Sequence, residues 1–120
     1  MPNMTTVEIK AFVPARDFAL SRRFYQDLGF TLVWSDDDLA YFRHGHSSFL
    51  LQNFYREDHA NNFMMHLLVE DVEAWWRHTQ TQQITEKYKA KAEPPADRGG
   101  MRDFVIVDPT GVLWRIAENK

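Results

Sequence analysis

Two stretches of this 120-residue chain follow the same plan, and the repetition strongly limits how the chain can fold. Residues 10–25 (KAFVPARDFALSRRFY) and 63–76 (FMMHLLVEDVEAWW) each pass from an apolar strand pattern through an acidic residue into an amphipathic helix pattern. The acidic residues, Asp17 and Asp71, lie 54 positions apart (71 − 17), nearly half the chain. The sequence therefore predicts two equivalent halves.

Each half is predicted to contain one helix and four strands in the order β-α-β-β-β. Asp17 and Asp71 are the expected N-caps, and Gly29 is expected to end the first helix. In the first half we predict strands at residues 7–13, 30–34, 39–43 and 49–54. In the second half we predict strands at residues 63–69, 84–90, 102–107 and 112–118, with a helix ending near residue 82. Residues 93–100, rich in proline and glycine, are expected to form a loop that could cover a cavity.

The predicted fold class is α+β, with tandem βαβββ modules at about residues 7–55 and 63–118 in a single domain covering residues 1–120. Alternation along the strands gives each sheet two different faces. One face would cover the helices. The other would line a cavity once two modules, from one chain or from two, closed a half-barrel around it.

Composition narrows the classes of partner. The net charge is −3 and there is no basic run, which argues against a nucleic-acid-binding protein. There is no cysteine, which removes disulfides, thiolate metal sites and cysteine nucleophiles. No apolar run approaches the roughly 18 residues that a membrane span needs, and the N-terminal residues show no signal core. We therefore expect a cytoplasmic protein without membrane or nucleic-acid partners.

Three segments resemble a known family. They are residues 13–30 (VPARDFALSRRFYQDLGF), 66–76 (HLLVEDVEAWW) and 103–118 (DFVIVDPTGVLWRIAE). Together they resemble the vicinal oxygen chelate superfamily, which contains glyoxalases, bleomycin resistance proteins and extradiol dioxygenases. Length, tandem modules and lack of cysteine are most similar to the bleomycin-resistance-like branch. That resemblance implies a homodimer with small-molecule pockets between modules or chains, and it makes antibiotic resistance a candidate role.

The resemblance also implies positions for a metal, and this chain departs from them. Metal-dependent members place His or Gln seven residues before the turn aspartate, which here gives Lys10 and Met64, and a Glu four residues after the glycine of DPxG, which here is Arg115. Ammonium and guanidinium groups offer no lone pair, and a thioether is a poor ligand for Fe, Mn, Ni or Zn. Gln52 would occupy the remaining position. We therefore predict no metal and no cofactor.

His66 shares the strand parity of Met64 and leaves three alternatives open. It is a metal ligand after a register shift, a polar group that contacts a ligand, or a hydrogen-bonded structural histidine. Strand residues predicted to face the cavity are expected to contact the ligand, together with the cationic Lys10 and Arg115 and the strand residue Trp34. The predicted ligand-binding set is Lys10, Phe12, Trp34, Gln52, Met64, His66, Leu68 and Arg115.

Other aromatic and histidine side chains have simpler expected roles. Trp114 could wall a pocket, as Trp34 could. His44 is expected in an exposed hairpin turn, and His78 at an exposed helix end.

The favoured function is a metal-free protein that sequesters a small molecule between modules or subunits. Lys10 and Arg115 would anchor an anionic or hydrogen-bonding group, or would instead neutralise buried carboxylates. The alternative is a metal-dependent lyase, isomerase or dioxygenase that uses His66, Gln52 and Glu118. A third hypothesis is an interaction module without a ligand.

Overall fold

The computed structural model describes residues 2–120. The strands in this range are β1 (Phe12–Pro14), β2 (Thr31–Ser35), β3 (Leu39–His44), β4 (Ser47–Gln52), β5 (Met64–Leu68), β6 (Ala92–Arg98), β7 (Met101–Val107) and β8 (Leu113–Asn119). The helices are α1 (Phe18–Leu28), α2 (Glu57–Ala60), α3 (Val72–Thr81) and α4 (Ile84–Tyr88). No helix among these is long and apolar enough to cross a membrane.

The strands form two four-stranded sheets with equivalent topology. The first sheet has the order β1-β4-β3-β2 and the second has the order β5-β8-β7-β6. In each sheet the first strand runs parallel to the last, while the other neighbours are antiparallel. The prediction of an α+β fold with tandem βαβββ modules is confirmed.

The starts of the two long helices are also equivalent. The Asp17 carboxylate accepts the backbone N–H of Leu20 at 3.1 Å, and the Asp71 carboxylate accepts that of Ala74 at 3.1 Å. Each caps the third residue of its helix, as an N-cap aspartate does. Gly29 ends α1 with a φ of 130°, which a residue with a Cβ adopts only under strain. The three predicted caps are confirmed.

Both sheets bury one face in a shared aromatic core. The Trp114 ring lies 5.3 Å from the ring of Phe49 and 5.6 Å from that of Phe30. Since Trp114 belongs to the second sheet and Phe49 to the first, these contacts join the modules through the sides that cover the helices. Trp114 is 2% exposed, so it is a core residue and not a pocket wall. We call the opposite side of each sheet its outer face.

A buried polar junction lies within this core. The Tyr25 hydroxyl on α1 donates to Asp108 at 2.5 Å and accepts the indole N–H of Trp114 at 2.8 Å. The second carboxylate oxygen of Asp108 accepts the backbone N–H groups of residues 110–112, each at 2.9 Å. Burial raises the pKa of the Asp108 carboxyl, and the hydrogen bonds oppose that rise. The DPTG turn is thereby attached to the other module's helix.

The predicted strand at residues 84–90 is wrong, because this segment forms α4. Ile84 is fully buried, and the ring of Tyr88 lies 5.3 Å from that of Phe24. Residues four apart share one side of a helix, so helical geometry lets both reach the core. Gln83 and Lys89, with φ of 54° and 52°, turn the chain sharply at each end.

The predicted loop at residues 93–100 is also wrong, because most of it forms β6 at the edge of the second sheet. The pairing with β7 shifts register between Glu93 and Ala96, and Pro94 and Pro95 lie inside this bulge. Proline has no N–H to donate, and an edge strand with a bulge tolerates that loss. The segment is therefore part of the sheet and not a lid.

The first predicted strand is shorter than expected. Only Phe12–Pro14 pairs with β4, and residues 2–11 form an N-terminal arm without regular secondary structure. Val7 and Ile9 on this arm are 94% and 93% exposed. The alternation that predicted a strand from residue 7 is present, but these apolar side chains have no surface to cover within the single chain.

Candidate functional site

Three of the predicted ligand contacts lie on the outer face of the first sheet. Phe12 pairs with Leu50, which pairs with Tyr41, which pairs with Trp34, so these side chains form one row. Phe12 is 50% exposed and Trp34 is 46% exposed. Gln52, the last residue of β4, lies on the same face and is half-buried.

Four more of the predicted ligand contacts lie on the outer face of the second sheet: Met64, His66, Leu68 and Arg115. His66 and Arg115 are register partners on the parallel strands β5 and β8. Met64 is 54% exposed and Leu68 is 53% exposed, whereas Leu67 between them is buried. Strand alternation therefore presents two apolar side chains and two polar ones to solvent on this face.

Lys10, the remaining predicted contact, is held in a polar cluster where the arm meets the first sheet. Its ammonium lies 3.1 Å from Glu8, which also accepts the hydroxyl hydrogens of Ser48 at 2.5 Å and Tyr41 at 2.8 Å. Arg43 lies 3.5 Å from the same carboxylate. These donors, led by Ser48, lower the pKa of Glu8 to about 2. Within the single chain, Lys10 neutralises a carboxylate.

Arg115 is also paired with a carboxylate. Its guanidinium donates to Asp103 at 3.1 Å, and Arg98 donates to the other oxygen of Asp103 at 2.6 Å. Asp103 is only 6% exposed, so its charge needs such partners. Of the two roles weighed for these cations, neutralising a carboxylate is the one that both Lys10 and Arg115 perform here.

The two outer faces do not meet within one chain. Each outer face lies on the side of its sheet away from the core that contains Phe49 and Trp114. The first-sheet residues and the second-sheet residues of the predicted set are therefore separated by the whole thickness of that core. Sequence reasoning identified both surfaces but did not show that they point apart.

Sequence reasoning missed a cleft of about 250 Å³ between the end of α1 and α3. His44 Nδ1 donates to the Gly29 carbonyl at 2.8 Å, and His78 Nε2 donates to the Asp27 carbonyl at 2.8 Å. The ring of Trp75 lies 4.9 Å from that of His44. The two histidines cap carbonyl groups at the end of α1 and are not merely solvated, because carbonyls there lack helical partners. No local pattern signals these contacts, which join residues 15 and 51 positions apart.

Residues 7–116 match the family model of the Glyoxalase/Bleomycin resistance protein/Dioxygenase superfamily. The chain belongs to this superfamily. The match spans nearly the whole chain and confirms the resemblance noted from the three sequence segments. No curated protein sequence matches the chain significantly.

Within the superfamily, the chain is similar in structure to two bleomycin-binding proteins and to a bleomycin resistance determinant. A bleomycin-binding protein complexed with bleomycin is 24% identical, with a TM-score of 0.81 over 96% of this chain and 100% of that one. A bleomycin resistance determinant encoded on transposon Tn5 is 25% identical, with a TM-score of 0.81 over 96% and 99%. The bleomycin-binding protein of Streptomyces verticillus is 19% identical, with a TM-score of 0.79 over 97% and 100%. These structures agree with the predicted branch.

The metal positions of the superfamily do not fit a metal in this chain. The Lys10 and Arg115 side chains are positively charged and already paired with carboxylates, and Met64 offers only a thioether. The described residues contain no cluster of three or more His, Cys, Asp or Glu side chains placed to hold an ion.

The alternative ligand set of His66, Gln52 and Glu118 does not converge within one chain. Glu118 lies on the opposite face of β8 from Arg115, and its carboxylate accepts the backbone N–H of Val72 at 2.8 Å. Gln52 belongs to the other sheet. His66 is exposed, and its imidazole makes no hydrogen bond with the residues of the described range. One chain therefore does not bring together the three side chains that this alternative needs.

Proposed function

We propose that this protein is a metal-free binding protein that sequesters a small molecule in a cavity between two copies of the chain. The observation that carries the proposal is the pair of outer faces. Each presents half-exposed apolar or aromatic side chains beside polar ones, which is the composition of a ligand site. We treat residues 1–120 as one domain with two modules, because both sheets share one core.

The opposed directions of the outer faces favour a homodimer. A two-fold axis would set the outer face of the first sheet against the outer face of the partner's second sheet, and the same axis would create this pairing twice. Each of the two cavities would then be walled by one module from each copy. The exposed Met4, Val7 and Ile9 on the arm add apolar surface that a second copy would cover.

The ligands of similar proteins support an antibiotic as the first candidate. Bleomycin is bound by two of the proteins with similar structures, and a further one is described as an antibiotic-binding protein from Streptomyces. Binding without turnover suits the residues of the outer faces, where a guanidinium, an imidazole and apolar side chains offer contacts. We accordingly favour sequestration, and we expect a cytoplasmic location.

The test combines oligomeric state with ligand binding. Sedimentation equilibrium should give a dimer, and titration calorimetry with bleomycin and a panel of planar aromatic antibiotics should identify a ligand. Trp34→Ala should weaken its binding by about tenfold or more, as removal of an aromatic contact at a binding site does. Phe54→Ala is the matched control, because Phe54 is equally exposed at 46% but lies beyond β4.

Two results would contradict the proposal. One is a chain that stays monomeric and binds no member of the panel. The other is about one metal ion retained per chain after incubation with Fe, Mn, Ni, Co or Zn, and lost on His66→Ala.

A further inference from the structure

The middle of the second outer face carries two neighbouring nitrogen-bearing side chains, which we call the His66–Arg115 pair. The residues are register partners on adjacent strands and point to the same side of the sheet. Neighbouring strands lie about 4.8 Å apart, so one small group can contact both side chains.

Asp103 holds the Arg115 guanidinium in place but accepts only some of its hydrogen-bond donors. One of its terminal nitrogens donates to Asp103, and a guanidinium has five N–H groups in all. Asp103 is shared with Arg98, so two cations face one carboxylate and leave a surplus positive charge. The Arg115 side chain is 35% exposed, so its remaining donors reach the surface of the outer face.

His66 offers a second donor that no residue of the described range engages. It is exposed, and at least one ring nitrogen carries a proton in either charge state. Met64 and Leu68, two residues to either side on β5, are half-exposed and apolar. The pair of donors is thus set within an apolar surface.

A carboxylate that forms no salt bridge within residues 2–120 lies at the edge of the sheet. Glu93 on β6 is the register partner of Val105, which is the register partner of Arg115. Two strand spacings, about 10 Å, therefore separate the backbone of Glu93 from that of Arg115. A cationic pair on β5 and β8 and a carboxylate at the far edge would orient a polar ligand.

We propose that the second outer face binds the anionic group of an apolar ligand, a carboxylate or sulfonate, through the Arg115 guanidinium and the His66 imidazole. The apolar body of the ligand lies on Met64 and Leu68. This inference rests on the proposed function, since it concerns the same cavity, and it names the chemical class of the ligand. A guanidinium held by one carboxylate keeps a geometry that suits a second oxyanion.

Three probes with one ring system test the charge preference: naphthoate, naphthylmethanol and naphthylmethylammonium. Titrated into the full chain by calorimetry, naphthoate should bind at least about tenfold more tightly than the other two, as expected for hydrogen bonds to a charged group. Arg115→Gln and His66→Gln should each remove most of this difference. His66→Gln removes no side-chain hydrogen bond or salt bridge in the described range and changes an exposed position, so it separates ligand binding from folding.

The control variant is Arg77→Gln, which removes a charge from the exposed side of α3 and should leave all three affinities unchanged. Equal affinities for the three probes, or tighter binding of the ammonium, would overturn the inference while leaving sequestration in place. Loss of binding of all three probes in a dimer that binds bleomycin would overturn it as well. Failure of the proposed function shows separately, as a monomer that binds nothing in the antibiotic panel.

Discussion

The two modules share one plan but differ in how their first strand is held. All five residues of β5 pair with β8, whereas only three residues of β1 pair with β4. The arm before β1 is attached instead through the contacts of Glu8 and leaves Val7 and Ile9 exposed. The second module is therefore complete within one chain, while the first begins with an arm whose apolar side chains are suited to a partner surface.

The largest expected effect on stability comes from breaking the buried polar junction that joins the two modules. Asp108→Ala should lower the free energy of unfolding by about 3 kcal/mol, because it leaves the Tyr25 hydroxyl and three backbone N–H groups without an acceptor. Urea unfolding followed by circular dichroism measures the change. Asp38→Ala, in an exposed turn, should stay within about 0.5 kcal/mol of the parent. A loss as small as that control's would show that the junction does not couple the modules.

A smaller effect on stability is expected at the two helix N-caps, where the modules are equivalent. Asp17→Ala and Asp71→Ala should each cost about 1 kcal/mol, because each removes the same 3.1 Å cap contact. The double variant should cost about the sum, since the caps share no partner. Asn at either position keeps the cap and is the matched control. If only one of the two alanine variants destabilised the chain in urea, the equivalence of the modules would fail.

The smallest effect is expected at the arm, where the modules differ. The pKa of Glu8 lies near 2, below its ordinary 4.5, so docking of the arm is fully favoured above about pH 4.5 and is lost as the pH falls toward 2. Nuclear magnetic resonance titration of the Glu8 carboxyl and the Tyr41 ring should show both changing near pH 2. Glu8→Gln should abolish the change at Tyr41. A carboxyl that titrates near pH 4.5 would mean that the arm is free in solution.

Much of the fold could be predicted because its signals are local. Asp17 and Asp71 cap the third residue of their own helices, and Gly29 ends the helix that it follows. The alternation in β4 and β8 also lies within each strand. These features depend on neighbours a few positions away, which a single sequence displays directly.

The features that were missed depend on distant partners. α4 forms because Ile84 and Tyr88 reach a core built by the other module, and β6 pairs despite Pro94 and Pro95 because it is an edge strand. The candidate site also has features that the local sequence sets and features that distant packing sets. Strand parity placed Met64, His66 and Leu68 on one face, but only the packing of the sheets shows that the two outer faces point apart.

The position of β8 has a consequence for the order in which the second sheet folds. β8 lies between β5 and β7 and carries Trp114, the side chain that joins the two modules. Leu113 pairs with Val107, six positions away (113 − 107), and also with Met64, 49 positions away (113 − 64). Because the longer loop costs more entropy to close, the β7–β8 hairpin is expected to form first, and the β5–β8 pairing is expected to complete the sheet and the shared core late in folding.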